Sequence, residues 1–203
     1  MLEIWFTEEW QMKQVVMQIS GLAALLAASA VQADDLSATA TIFGHDPGGA
    51  AAHACFSRHY TAAHLAKHPH QNVTAMLAFI DKPAGEGENG SYTVGLDVKF
   101  RKSQNPFQVS GSCSDGSDIG SALACGIECD GGSIGVRVKS RDAVLIDIPD
   151  GARIWDPDSE DEPPATARFG ADDKVFRLER TDIKTCLPLV WDDEVKKAIL
   201  SGK

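Results

Sequence analysis

The sequence predicts a mainly β protein, either an antiparallel, barrel-like fold of about eight strands or a small sandwich, with one helix near the N-terminus. The clearest observation is the segment SYTVGLDVKFR at positions 91–101, where apolar residues recur at every second position from Tyr92 to Phe100. This period of two is typical of a strand that buries one face in an antiparallel sheet. A second observation is that short apolar runs follow one another closely, separated by turn-forming sequences such as CDGG and PDG.

The other predicted strands share a short length and flanking turn residues. Together with the segment above, they lie at 73–79, 91–101, 107–113, 122–128, 133–139, 143–148, 152–155 and 174–181. Nearly all of them are consecutive in the chain, and consecutive hairpins with one apolar face close most economically into a barrel or a small sandwich. We therefore expect a barrel-like fold, with a sandwich as the alternative.

One helix is predicted ahead of these strands, over residues 57–67. The surrounding segment 50–67 is rich in alanine and contains no proline or glycine. The helix is expected to end at His68, because a residue that precedes proline avoids the helical region. A second, short helix is predicted at 192–200.

The N-terminal segment predicts export. From Met12 the chain reads MKQVVMQISGLAALLAASAVQADDL, with a basic residue, an apolar stretch and small residues before a cut after Ala33. This pattern is typical of a secretory signal peptide, and the stretch is too short and too interrupted for a membrane helix. We interpret residues 1–11, which carry glutamates where a basic segment is expected, as an artefact of the gene start. Residues 12–33 are then the signal peptide, and 34–203 form a single disulfide-tied β domain in the periplasm or outside the cell.

The net charge of the chain limits the classes of partner that it is expected to bind. It carries 19 basic and 29 acidic side chains, a formal net charge of −10. An acidic surface repels nucleic-acid phosphates and anionic lipids, so neither nucleic acid nor, after signal cleavage, a membrane is an expected partner. The acidic surface would not repel a basic partner.

Five cysteines in an exported chain predict a disulfide framework with one odd thiol. Cys113 ends one predicted strand and Cys125 lies in the next, so the two can meet across adjacent antiparallel strands. Cys129 lies at the CDGG turn and Cys186 follows the last strand, so both are free to reach distant segments. We predict the bonds Cys113–Cys125 and Cys129–Cys186, with Cys55 as the odd thiol.

The segment 44–70 contains all six histidines of the chain. On the predicted helix, His64 and His68 are four residues apart and share a face, which is the usual arrangement of two metal ligands. His53, or His70 beyond the proline, would be the third ligand of a Zn or Cu site. The alternative is that His64 packs or caps and the others are exposed, since a histidine-rich tract is only compositional evidence.

Catalytic motifs do not point to an enzyme. The chain contains no G-x-S-x-G sequence, CGIEC is C-x3-C rather than C-x-x-C, and no lysine follows the glycines of CDGGSIG. No catalytic residue is predicted, and no cofactor apart from Zn or Cu under the metal hypothesis.

The sequences CFSRHYTAAHLAKHPHQNVTAM, CGIECDGGSIGVRV and FRLERTDIKTC are similar to a family of small exported proteobacterial proteins without an assigned function. The resemblance covers most of the exported chain and implies a single domain, but no activity or ligand. The first functional hypothesis is therefore a non-enzymatic, exported β-barrel that binds a small molecule or a protein, as an inhibitor does. The alternatives are a periplasmic Zn- or Cu-binding protein that uses the histidines, and a hydrolase with an unrecognised site.

Overall fold

Eight antiparallel strands follow one another around the wall of a closed barrel, and the last strand pairs with the first. The computed structural model describes residues 37–85 and 91–202. The predicted start artefact at 1–11 and the signal peptide at 12–33 lie outside these residues. The strands are β1 (Ala52–His59), β2 (Val73–Lys82), β3 (Tyr92–Phe100), β4 (Phe107–Asp115), β5 (Leu123–Gly126), β6 (Ser133–Ser140), β7 (Ala143–Asp147) and β8 (Val175–Arg180). The barrel rather than the sandwich is the correct fold.

Short helices lie at the ends and on the outside of this wall. They are α1 (Ala38–Phe43), α2 (Ala62–Lys67), α3 (Asp193–Ser201) and two 3₁₀ helices at Ser117–Ile119 and Ile183–Leu189. Each α-helix begins after a side chain that accepts a backbone N–H of the first turn, namely Ser37, Thr61 or Asp192. Among the described residues, no helix has both the length and the apolar character needed to cross a membrane.

Apolar side chains fill the inside of the barrel. In β3, every second residue from Tyr92 to Phe100 is buried in one core with residues of all the other strands. Phe43 of α1 stacks on Tyr92 at one end of β3, with ring centroids 6.3 Å apart, and Phe169 lies 5.5 Å from Phe100 at the other end. Aromatic side chains therefore pack at both ends of β3.

A second apolar cluster lies on the outer face of the barrel. Cys55 of β1 and Phe79 of β2 alternate with inward-facing neighbours and contact Cys186 and Leu189 in this cluster. The 3₁₀ helix Ile183–Leu189 and α3 thus cover part of the outer wall, and the C-terminal segment is packed against the barrel.

The helix predicted at 57–67 is wrong over its first part. Residues 57–59 belong to β1, and α2 begins only at Ala62. Alanine favours a helix locally, but Ala52, Ala54 and Phe56 are buried in the barrel core at a period of two. Pairing with β2 along the whole length of β1 outweighs that preference.

The strand predicted at 152–155 is also wrong. Its residues make isolated bridges, Ala152 with Gly132 and Trp155 with Gln108, and do not join the ladder. The C-terminal helix predicted at 192–200 is present as α3.

Candidate functional site

The structure contains two disulfides. Cys113 and Cys125 face each other in register on β4 and β5 and are bonded, as predicted. The predicted Cys129–Cys186 bond is wrong: Cys186 bonds Cys55, with Cα atoms 5.9 Å apart, and Cys129 is an exposed free thiol. The error follows from β1, because Cys55 lies on the outer face of a strand and not at the start of a helix. Two disulfides are typical of a protein that folds in an oxidising environment.

The three predicted metal ligands do not come together. His64 of α2 stacks on His68, the residue that caps the end of the helix, with ring centroids 4.3 Å apart. His53 lies near the start of β1, whereas Tyr60, which stacks on His64, follows the end of that strand. A strand of 8 residues spans more than about 20 Å, so His53 lies too far from His64 to bind the same metal ion. The prediction of His53 as the third ligand is therefore wrong. Within residues 37–85 and 91–202, no three His, Cys, Asp or Glu side chains are arranged to hold a metal ion.

Two of these histidines have partners in the protein. His64 Nε2 lies 3.0 Å from Gln71 Oε1, and the ring is stacked between Tyr60 and His68. His53 Nδ1–H donates to Asp81 Oδ1 at 2.8 Å, and its ring stacks on Phe79. Asp81 and Phe79 belong to a different site on the outer wall.

That site is a groove of about 210 Å³ between the outer face of β2–β4 and the chain that follows the 3₁₀ helix Ile183–Leu189. Its floor includes Phe79, Gly95 and Ser110, which lie side by side in the register of the three strands. Trp155 and Trp191 also line it. We call this site the tryptophan groove.

The groove depends on a glycine at an outward-facing position of β3. Gly95 alternates with the buried Val94 and Leu96 and leaves the outer face bare of a side chain at this point. Leu189 packs over the gap, 3.7 Å from the position that a Cβ on Gly95 would take. The missing side chain lets the C-terminal segment approach the sheet and form the opposite wall.

The two tryptophans are held in different ways. Trp155 exchanges two backbone hydrogen bonds with Gln108 of β4, at 2.8 and 3.0 Å, which fix its position beside the sheet. Trp191 follows directly after the segment packed on the barrel, and 67 % of its surface is exposed. Tryptophan is enriched at protein interfaces because its ring is apolar and its N–H is polar.

Gln108 lines the groove and is only 2 % exposed. Its Nε2–H donates to the carbonyl oxygen of Pro188 at 3.1 Å, which fixes the orientation of the amide, since the opposite orientation would place two oxygens together. Gln108 Oε1 is buried, and within residues 37–85 and 91–202 it has no hydrogen-bond partner. A buried acceptor without a donor is costly, and an inserted ligand could supply that donor.

Acidic side chains set the charge of the site. Asp81 and Asp192 line the groove, and no lysine, arginine or histidine of the described chain does so. Beside the groove, Asp97 lies opposite Gln108 in the register of β3 and β4. Burial raises the pKa of the Asp97 carboxyl to about 6.

The Cys55–Cys186 bond holds the wall of the groove in place. It joins β1 to the 3₁₀ helix whose last residue, Leu189, packs on Gly95. The bond and this apolar contact together fix the segment that presents Trp191.

No family model, curated protein or solved structure matches this chain. A function has to be inferred from the chemistry of the groove itself. Sequence reasoning missed Gln108, Trp155 and Trp191, since the groove joins segments far apart in the chain. One feature of the sequence could have indicated the groove: Gly95 leaves an outward-facing position without a side chain, in a strand where buried and less buried residues otherwise alternate.

Proposed function

We propose that this chain is an exported, non-enzymatic β-barrel module that binds a partner in the tryptophan groove. The observation that carries the proposal is the exposed Trp191 beside a groove lined by Gln108, whose Oε1 lacks a partner. An exposed indole and an unpaired buried acceptor both cost free energy in the unbound protein, and an inserted ligand relieves both costs.

The size of the groove favours a protein partner. Sites for drug-sized molecules usually have volumes of about 300–1,000 Å³, whereas this groove has about 210 Å³. It fits one side chain or a small fragment. A single anchoring side chain in a pocket is a common way for one protein to hold another, as inhibitors do.

Export is part of the proposal. It is supported by the signal-peptide pattern at 12–33 and by the two disulfides. N-terminal sequencing of the protein made by its own host is expected to begin at Asp34. A form that retains Met1 inside the cell would contradict export.

A hydrolase is the weaker alternative. Asp81 and His53 are hydrogen-bonded in the manner of the acid and base of a catalytic triad. Among the described hydrogen bonds, however, no hydroxyl donates to the other nitrogen of His53, so the pair lacks a nucleophile. Binding in the groove needs no such group.

Site-directed crosslinking tests the proposal. A photoreactive benzoylphenylalanine is placed at position 191 and, as a matched control, at position 175, because Val175 is also exposed and belongs to β8, away from the groove. Irradiation of living cells is expected to give a discrete adduct from position 191 only. No adduct from 191, or the same adducts from both positions, would contradict a binding function of the groove.

A further inference from the structure

Two acceptors of the tryptophan groove lack a full set of hydrogen-bond partners among the described residues. Gln108 Oε1 has no donor, and the atom itself is buried, so a ligand reaches it only if it displaces the side chains that cover it. Asp192 Oδ1 accepts the backbone N–H groups of Glu194 and Val195, at 2.8 and 3.0 Å. Its second oxygen makes no hydrogen bond within the described residues. A ligand that satisfies these groups has to be rich in donors.

The charge of the groove selects a cation among such ligands. Asp192 and Asp81 are its charged residues in the described chain. Asp81 is hydrogen-bonded to His53, so Asp192 is the carboxylate of the groove that has no basic partner among the described residues. A cation in the groove would gain a charge-assisted hydrogen bond that a neutral ligand lacks.

The aromatic residues favour a flat cation. Trp155, Trp191 and Phe79 line the groove, and indole faces attract cations through their electron-rich surface. A guanidinium group is planar, stacks on such faces and carries five donors in a rigid fork. It meets the shape, the charge and the acceptors of the groove together, whereas an ammonium group offers no plane to stack.

The charge of the whole chain acts in the same direction. Its formal net charge is −10 over the whole sequence and −8 over residues 34–203. A strongly acidic protein attracts basic partners over several ångströms in solution and raises their rate of association.

We propose that the tryptophan groove recognises an arginine side chain on a basic protein partner. This inference rests on the proposed function and adds the chemistry of the partner. The guanidinium group lies against the tryptophans, donates to Asp192, and reaches Gln108 Oε1 as it inserts.

A pair of peptides tests the inference by isothermal titration calorimetry. Acetyl-Gly-Gly-Arg-Gly-Gly-amide is compared with the same peptide carrying citrulline, which keeps the shape of arginine and removes its charge. The protein is produced from the full-length gene and purified after export. The arginine peptide is expected to bind at least about tenfold more tightly, because the charge-assisted hydrogen bond is lost with citrulline.

Two matched variants test whether the arginine peptide binds at Asp192. Asp192→Asn removes the charge but keeps a good helix N-cap, so α3 is preserved. Asp193→Asn removes the same charge from the next residue, which is exposed and does not line the groove. Binding of the arginine peptide is expected to fall several-fold in Asp192→Asn and to stay unchanged in Asp193→Asn.

The outcomes separate the two proposals. Equal binding of both peptides, or no binding of either, would overturn the arginine inference. An equal loss in the two aspartate variants would also overturn it, because the effect would then be one of general charge. In each of these cases crosslinking at position 191 still decides whether the groove binds a partner at all.

Discussion

Removal of the Cys55–Cys186 disulfide is expected to destabilise the protein more than removal of Cys113–Cys125. The two bonds close loops of very different length, with sequence separations of 131 and 12 residues. A longer closed loop restricts the unfolded chain more strongly. The chain-entropy model gives about 5 kcal/mol for a separation of 131 and about 3 kcal/mol for one of 12.

The two bonds are therefore expected to differ by about 2 kcal/mol in their contribution to stability. All four cysteines are buried, so their replacement by alanine leaves similar small gaps in both variants. A domain of this kind is stable by roughly 5–15 kcal/mol, which makes the loss of the longer loop a large part of the total.

The assay is equilibrium unfolding in urea of Cys55→Ala/Cys186→Ala and Cys113→Ala/Cys125→Ala. Both pairs are made in a Cys129→Ser background, which prevents exchange with the free thiol. The first pair is expected to lower the free energy of unfolding more than the second. Equal losses, or a larger loss from the second pair, would refute the reasoning from loop length.

Three further outcomes are expected. Burial raises the pKa of Asp97 to about 6, so ionisation of this carboxyl lowers the stability of the folded state as the pH rises from 4 to 6. Asp97→Asn should therefore raise the free energy of unfolding at pH 7, by less than about 3 kcal/mol because the side chain is only partly buried. The melting temperature of the variant should also depend less on pH between 4 and 6 than that of the native protein. Asp173 is fully buried and accepts the backbone N–H groups of Asn72, Val73 and Gly170. Asp173→Ala should therefore lower the free energy of unfolding, measured in urea, by about 3 kcal/mol or more, and a decrease below about 1 kcal/mol would contradict this role. The native protein should react with one equivalent of a thiol reagent, and Cys129→Ser with none.

The barrel could be predicted because β3 has a regular period of two, in which alternate residues are buried. Several of the turns between strands, such as the one that joins β6 to β7, are also short. The number of strands also agrees, but only because two errors cancel. The strand β1 is missing from the prediction, which assigns its last residues, 57–59, to a helix, and the prediction places a strand at 152–155 that the structure does not have.

Local preference explains both errors. Alanine at 52 and 54 is a small residue that suits a helix, and nothing in the local sequence shows that the barrel needs a strand between β2 and β8. Residues 152–155 have the composition of a strand, but they make only isolated bridges, with Gly132 and Gln108. Each outcome depends on distant segments that a local pattern does not describe.

The site could not be predicted for the same reason. Gly95, Gln108, Trp155 and Trp191 come from four separate parts of the chain and meet only when the C-terminal segment packs on the outer wall. The Cys113–Cys125 bond was predictable because it joins neighbouring strands. The Cys55–Cys186 bond joins the outer face of β1 to that C-terminal segment, and its prediction needs the same long-range packing.

The most direct test of the tryptophan groove as the binding site is an NMR titration of the ¹⁵N-labelled protein with the arginine peptide. The indole N–H signals are assigned with Trp155→Phe and Trp191→Phe. Binding is expected to shift both indole signals and the side-chain amide of Gln108, with little change in residues at the ends of the barrel such as Phe43 and Phe169. Shifts confined to the barrel ends, or no shift in the groove at high peptide concentration, would contradict recognition of arginine in the groove.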